Sequence, residues 1–255
     1  MLRFLSLLFA LSFLSAGSVS AETLTNYFIV KVKLDNKAVE ASKVRDYARR
    51  VLGEEFELSR FSETYQRVRD DVLIKSEIPI IKALSVVGSV DQINRSSSLF
   101  YRNQKLLLSQ STERVGTKGD LHVAVVDYRR KRVQFMKNRQ LVSEERIDGD
   151  LIDLASLPYY WIGRKVDARD LRIDVTDAKK IYRSEVFSAS DLTVNFLGER
   201  QSVVRFVRQR KDPKTPPLEL WVRKTDGIPI RVMTSLSPKH GVSLDIYPYK
   251  KPDRL

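Results

Sequence analysis

The stretch Leu218-Glu219-Leu220-Trp221-Val222-Arg223 runs through Thr225-Asp226-Gly227 into Ile228-Pro229-Ile230-Arg231-Val232-Met233-Thr234-Ser235-Leu236. In the first arm Leu218, Leu220 and Val222 alternate with Glu219, Trp221 and Arg223. In the second, Ile228, Ile230, Val232, Thr234 and Leu236 fall at every other position. Successive Cβ atoms of an extended chain point to opposite faces, so each arm puts its apolar side chains on one side. The Asp-Gly pair between the arms is a hairpin signal, because glycine accepts a positive φ at little steric cost. The two arms therefore read as antiparallel strands of a sheet with one wet face.

The same alternation recurs along the chain. Phe28, Val30, Val32 and Leu34 form one stripe, and Leu121, Val123 and Val125 another. Leu171, Ile173 and Val175 repeat it, as do Leu192, Val194 and Phe196, then Val242, Leu244 and Ile246. Turn signals at Asp35-Asn36-Lys37, Asp177-Ala178, Leu197-Gly198 and Lys239-His240-Gly241 separate the runs, and Asp212 to Pro217 is a longer proline-rich loop. The expectation is a mainly β fold, an antiparallel meander of roughly ten to twelve strands. Two segments read as short helices. Over Ala41 to Leu52, the residues Val44, Tyr47, Ala48, Val51 and Leu52 share a face and Gly53 supplies a stop. Over Asp150 to Gly163, Asp150 can cap, with Asp153 three residues on, and Pro158 must sit in a first turn or break the helix. Ile78 to Ile93 fits either period; its Val, Ile and Ser content favours strand.

Met1-Leu2-Arg3 followed by the apolar run Phe4 to Ala16 and the small residues Val19-Ser20-Ala21 reads as an export signal peptide, residues 1–21, cut after Ala21. Residues 22–249 read as a single β domain and 250–255 as a basic, frayed tail. No later segment approaches the ~20 apolar residues of a spanning helix. The sequence has no cysteine, which removes disulfides, thiol catalysis, Cys-ligated zinc and a lipid anchor at cysteine. Its formal charge is +13, which favours anionic partners such as lipid headgroups, lipopolysaccharide or acidic glycans; export argues against nucleic acid.

The catalytic inventory is thin. The two histidines, His122 and His240, fall in a strand stripe and a turn, and a zinc site needs three or four ligands. Asp148, Asp150 and Asp153 lack the further oxygen ligands and closing Glu of a calcium loop. No nucleophile elbow, phosphate-cradling glycine loop or dinucleotide fingerprint occurs. Asp70-Asp71 and Glu144-Glu145 are sequence neighbours, which a strand points to opposite faces. The reading is non-enzymatic, with no cofactor and no metal. Arg129, Arg130, Lys131 and Arg132, flanked by Tyr128 and Phe135, form the densest basic cluster. They read either as a solvated hairpin turn or as a site for phosphates on an anionic membrane or lipopolysaccharide.

From about Gly119 to Asp245 the order of segments carries a resemblance. It runs through Val133-Gln134-Phe135, the acidic Asp148-Gly149-Asp150-Leu151-Ile152-Asp153, Leu154-Ala155-Ser156-Leu157-Pro158-Tyr159-Tyr160-Trp161, Thr176 to Tyr182, Leu218 to Val222 and Asp226 to Arg231. In this order the chain resembles an uncharacterised secreted bacterial family, domain-of-unknown-function family 3108. The resemblance implies a Gram-negative periplasmic protein. It also implies a strongly curved antiparallel meander sheet, a half-barrel or open barrel similar to lipoprotein carriers and lipocalins, with a helix in its mouth. It supplies no catalytic residues. Aromatics at such a mouth can line an apolar pocket while their polar atoms stay wet, which makes Tyr159, Tyr160, Trp161 and Trp221 the candidate ligand-binding residues. The functional expectation is a periplasmic protein that binds a lipid or other amphiphile, or assists envelope assembly beside an envelope protein. A structural or interaction module without a cavity is the alternative, and an envelope hydrolase the third reading.

Overall fold

The computed structural model describes residues 21–34, 43–80, 93–115, 118–210, 217–237 and 241–254. The segment expected to be a signal peptide up to Ser20, the expected turn at Asp35-Asn36-Lys37, most of the Asp212–Pro217 stretch, residues 81–92 and His240 lie outside the described residues. The chain folds as β1 (Glu22–Leu34), α1 (Lys43–Leu52), β2 (Glu55–Val68), β3 (Asp71–Ile80), β4 (Ile93–Arg102), β5 (Lys105–Val115), β6 (Lys118–Asp127), β7 (Arg132–Lys137) and β8 (Gln140–Arg146). It continues through β9 (Leu151–Asp153), a 3₁₀ turn (Leu157–Tyr159), β10 (Leu171–Thr176), β11 (Ile181–Phe196), β12 (Glu199–Arg208), β13 (Leu218–Arg223), β14 (Pro229–Ser237), β15 (Val242–Pro248) and β16 (Asp253–Arg254).

The sixteen strands of the described residues, more than the ten to twelve that the alternation suggested, belong to one sheet. Its order is β8-β7-β6-β5-β4-β3-β2-β1-β15-β14-β13-β12-β11-β10-β9, with β16 also on β1. The chain starts at the middle of the sheet, meanders to one edge, crosses, and meanders back from the other. Every pairing is antiparallel except β9 with β10, where Leu151, Ile152 and Asp153 stand opposite Asp174, Val175 and Thr176. The sheet is mainly antiparallel, barrel-like and not closed, as the alternation and the resemblance led one to expect. At its end β9 turns inward, and the Ser109 hydroxyl of β5 donates to its Asp153 carboxylate at 2.6 Å.

Two apolar clusters hold the inner face. The larger joins Tyr65, Leu99, Leu106, Phe135, Phe187, Phe206 and Leu220 to the inward chain around Leu157 and Trp161. The smaller gathers Phe28, Val30, Val32 and Leu34 of β1 with Leu58 and Phe61 of β2. The stripe Leu218, Leu220, Val222 enters the core as its spacing predicts; the stripe Leu121, Val123, Val125 does not. Ala124 and Val126 are buried instead, because they stand opposite Phe135 and Val133 on β7.

Other local expectations shift as well. The first helix spans Lys43–Leu52, and Gly53 (φ +86°) closes it with its N–H on the Arg49 carbonyl at 2.9 Å. Its intended apolar face is not sealed: Val51 is 51% exposed. No helix forms over Asp150–Gly163. Asp150 and Asp153 cap nothing helical; Leu151–Asp153 pairs as β9 with all three residues buried, and only the 3₁₀ turn around Pro158 follows. A partner strand and a dry interior outweigh a weak helical signal that already contained proline. Nor does the whole tail fray: β16 pairs with Leu24 and Thr25, and the Tyr27 hydroxyl donates to Asp253 at 2.6 Å.

Candidate functional site

Between the two walls of the open sheet lies a cleft of about 710 Å³, within the range of small-molecule sites. One wall is β2–β4, which contributes Tyr65, Val72, Ile74 and Tyr101. The other is β10, which contributes Leu171 and Ile173. Leu151, Ile152, Tyr159 and Ile162 of the inward segment form the floor. The rim is polar: Arg67, Asp70, Asn103, Gln104, Asp148, Asp150, Arg164, Arg172 and Asp174. A lining of mixed apolar and ionised side chains suits a molecule with one greasy and one polar part.

The inward segment is fixed by packing at both ends. Tyr159 stacks on Tyr65 with ring centroids 6.0 Å apart, and Trp161 stacks on Phe206 at 4.1 Å. The Tyr160 ring meets Trp161 edge-on at 5.2 Å. Below the cleft two carboxyl groups are secured without a cation. The Tyr159 hydroxyl donates to Glu63 and accepts from the Asn26 amide at 3.3 Å. Asp153 accepts from Ser109 and from the Ala155 N–H at 2.8 Å. The Tyr101 hydroxyl bonds Ser156 and accepts the Asp153 N–H at 3.2 Å. Burial pushes the Glu63 carboxyl up to about 7, with the Tyr159 and Ser76 hydrogen bonds opposing it. Burial likewise pushes Asp153 up to about 6 against its own hydrogen bonds, and lifts the Tyr101 phenol. Neither carboxyl lines the cleft, so these groups pin the floor and do not face a bound molecule.

The four aromatic candidates are not brought together. Tyr159 and Tyr160 line the cleft. Trp161 is 5% exposed and belongs to the core beneath it. Trp221 sits on the outer face of β13, where its indole N–H donates to Glu219 at 2.6 Å and the Arg231 guanidinium lies 4.6 Å over its ring. That wall is a row of charges running from strand to strand. Arg205 pairs with Glu219 (2.6 Å), Arg231 with Asp245 (2.5 Å), Asp245 with Lys33 (2.8 Å), and Glu55 with Lys31 (2.8 Å). The polar partners of Trp221 explain why it alternates out of the apolar stripe.

The basic cluster occupies a hairpin turn. Arg129, Arg130 and Lys131 are exposed, Lys131 adopts φ +52°, and Arg132 opens β7. Arg132 pairs with Glu144 at 3.1 Å and Arg130 with Asp127 at 3.7 Å. His122 lies on β6, opposite Ser111 and Lys137, away from the cleft lining. Among the described residues no group of three or more His, Cys, Asp or Glu converges as metal ligands would. Among them, too, no helix is long and apolar enough to cross a membrane. Sequence reasoning missed most of the cleft. Arg67, Val72, Ile74 and Tyr101 are far from the inward segment in sequence, and only strand order brings them to it.

No protein-family model matches the chain, and no curated protein matches it in sequence. A solved structure is similar in fold: the β-barrel-like protein of domain of unknown function DUF1849 from Brucella abortus. It is 7% identical, with a TM-score of 0.55 over 93% of this chain and 100% of that one. At that identity the likeness is one of fold, and a fold by itself does not carry a function.

Proposed function

We propose that this protein is a non-enzymatic, exported protein of the bacterial envelope that holds an amphiphilic ligand in the cleft between the two walls of its sheet. The observation that supports this reading is the composition of the cleft, whose lining joins the buried Tyr65 and Ile74 and the half-buried Val72, Leu171 and Ile173 to more exposed ionised side chains such as Arg67 and Arg172. The leader-like residues 1–21 support a periplasmic location. The resemblance of Gly119–Asp245 to family 3108, a finer assignment than a barrel-like fold of unknown function, points the same way. The test is native mass spectrometry of protein purified from its own periplasm, together with organic extraction. A copurifying lipid or other amphiphile is expected. Empty protein, with no change in tryptophan fluorescence across a broad lipid panel, would remove the reading.

A second reading draws on the inward segment itself. Leu157, Pro158, Tyr159 and Trp161 are buried inside the sheet and occupy much of what a carrier would leave open. An interaction module would be filled in this way. Periplasmic crosslinking that recovers an envelope protein, from a preparation that carries no lipid, is the result that favours it.

A further inference from the structure

We infer that Arg67 and Arg164 form an anion subsite at the mouth of the cleft, and that the ligand class is a single-chain amphiphile with a carboxylate or phosphate head. This rests on the amphiphile reading above and adds to it the charge and position of the head. Arg67 comes from the end of β2 and Arg164 from the chain just beyond the 3₁₀ turn, and both line the cleft. The Arg67 guanidinium lies 3.3 Å from where a Cβ on Gly163 would stand, so it rests on the backbone beside Arg164. Burial lifts the Tyr65 phenol on the β2 wall, with Arg67 and Arg164 opposing it and Glu22, which stands opposite Arg67 on β1, adding to it. Each is positioned by neutral groups. Arg67 Nε donates to the Arg69 carbonyl at 3.3 Å. Arg164 donates to the Tyr160 hydroxyl at 3.2 Å, with its guanidinium carbon 4.2 Å over that ring.

Among the described residues neither arginine forms an ion pair within 4.0 Å, and Glu22, opposite Arg67 on β1, is the acidic group nearest to it in the strand register. The acidic rim residues are already committed elsewhere: Asp148 to Arg146 (3.0 Å), Asp150 to Lys105 (4.0 Å) and Asp174 to Arg183 (3.8 Å). Asp70, in the turn after β2, is exposed and pairs with neither arginine. A guanidinium presents paired N–H donors that fit carboxylate or phosphate, and two of them at one mouth can hold the same head. The apolar walls begin directly below. A head at the arginines thus places its chain along Val72, Ile74, Leu171 and Ile173.

Calorimetry on the processed chain tests this with four probes below their micellar concentrations: tetradecanoate, tetradecyl phosphate, monotetradecanoylglycerol and inorganic phosphate. The two anionic chains are expected to bind about tenfold tighter than the neutral glyceride. The variant R67Q/R164Q is expected to close that gap to within about twofold, the ratio of anionic to glyceride affinity being the readout. R164Q alone, at a half-exposed site, gives an intermediate loss should the double variant fail to fold by circular dichroism. Equal affinity for anionic and neutral chains overturns the subsite while leaving the amphiphile reading in place, as does a preference that survives the variants. Inorganic phosphate binding as tightly as tetradecyl phosphate overturns it in favour of a free-anion site. Failure of every chain to bind sinks the amphiphile reading itself.

Discussion

Glu63 shows what burial does to a single residue. Its carboxyl meets hydroxyls and no cation, so the neutral acid is favoured and its titration sits at about 7. The unfolded value is about 4.3. Between the two the folded state binds the extra proton, so this stabilisation is complete below the unfolded value and is lost as pH rises through about 7. Asp153, at about 6, acts in the same direction. Glu63→Gln keeps an acceptor for the Tyr159 hydroxyl and removes the titration. In urea unfolding the variant is expected to match the parent near pH 4 and to exceed its stability by about 2 kcal/mol near pH 8. A difference that does not change with pH would show that the carboxyl is not the titrating group. The sequence does not announce this residue. Glu63 lies in a strand of mixed polarity, and the Tyr159 hydroxyl that bonds it comes from 96 residues further along the chain.

At the scale of elements, the turns divide into those written in glycine and those that are not. Gly227 was legible as a hairpin residue, and it has φ +74°. The structure adds a second demand: a Cβ there would stand 2.2 Å from the Trp161 carbonyl oxygen, so the β13–β14 turn also makes room for the inward segment. Gly227→Ala should cost about 3 kcal/mol and shift Trp161 emission to the red. Gly198→Ala, at φ +82° with nothing within 4 Å, should cost about 1 kcal/mol and leave the emission unchanged. Equal costs by chemical denaturation would deny the special contact. Asn103-Gln104 and Asn138-Arg139 take the same left-handed conformation without glycine, at φ +50°, +63°, +50° and +70°, and so gave no turn signal. The strands beside them were hidden for a related reason. β8 is exposed along nearly its whole length, with Leu141 at 60% and Val142 at 66%, so no alternation marks it.

For the whole molecule the question is what keeps an unclosed sheet wrapped. Besides the inward segment, Arg183 of β11 reaches across to the β8 end, donating to the Arg146 carbonyl at 2.6 Å and approaching Glu145 at 3.4 Å. Arg183→Ala should lower stability by about 1 kcal/mol and speed hydrogen exchange in β8, with β1 and β12 unchanged. Uniform acceleration would mean that this contact is not a seam. The alternation of side chains was sufficient to establish a mainly antiparallel fold with one wet face, because a period of two is a local property that every strand must satisfy. The absence of cysteine likewise excluded thiol chemistry and disulfide staples directly. Only the tertiary structure decided that Leu151–Asp153 pairs as a strand where a helix opening at Asp150 was expected, that Trp221 lies outside and Trp161 inside, and that Arg67 of β2 lies against Gly163 of the inward segment. Each of those outcomes depends on which distant strands become neighbours and how much water their contact removes, and neither quantity is encoded in the spacing of nearby residues.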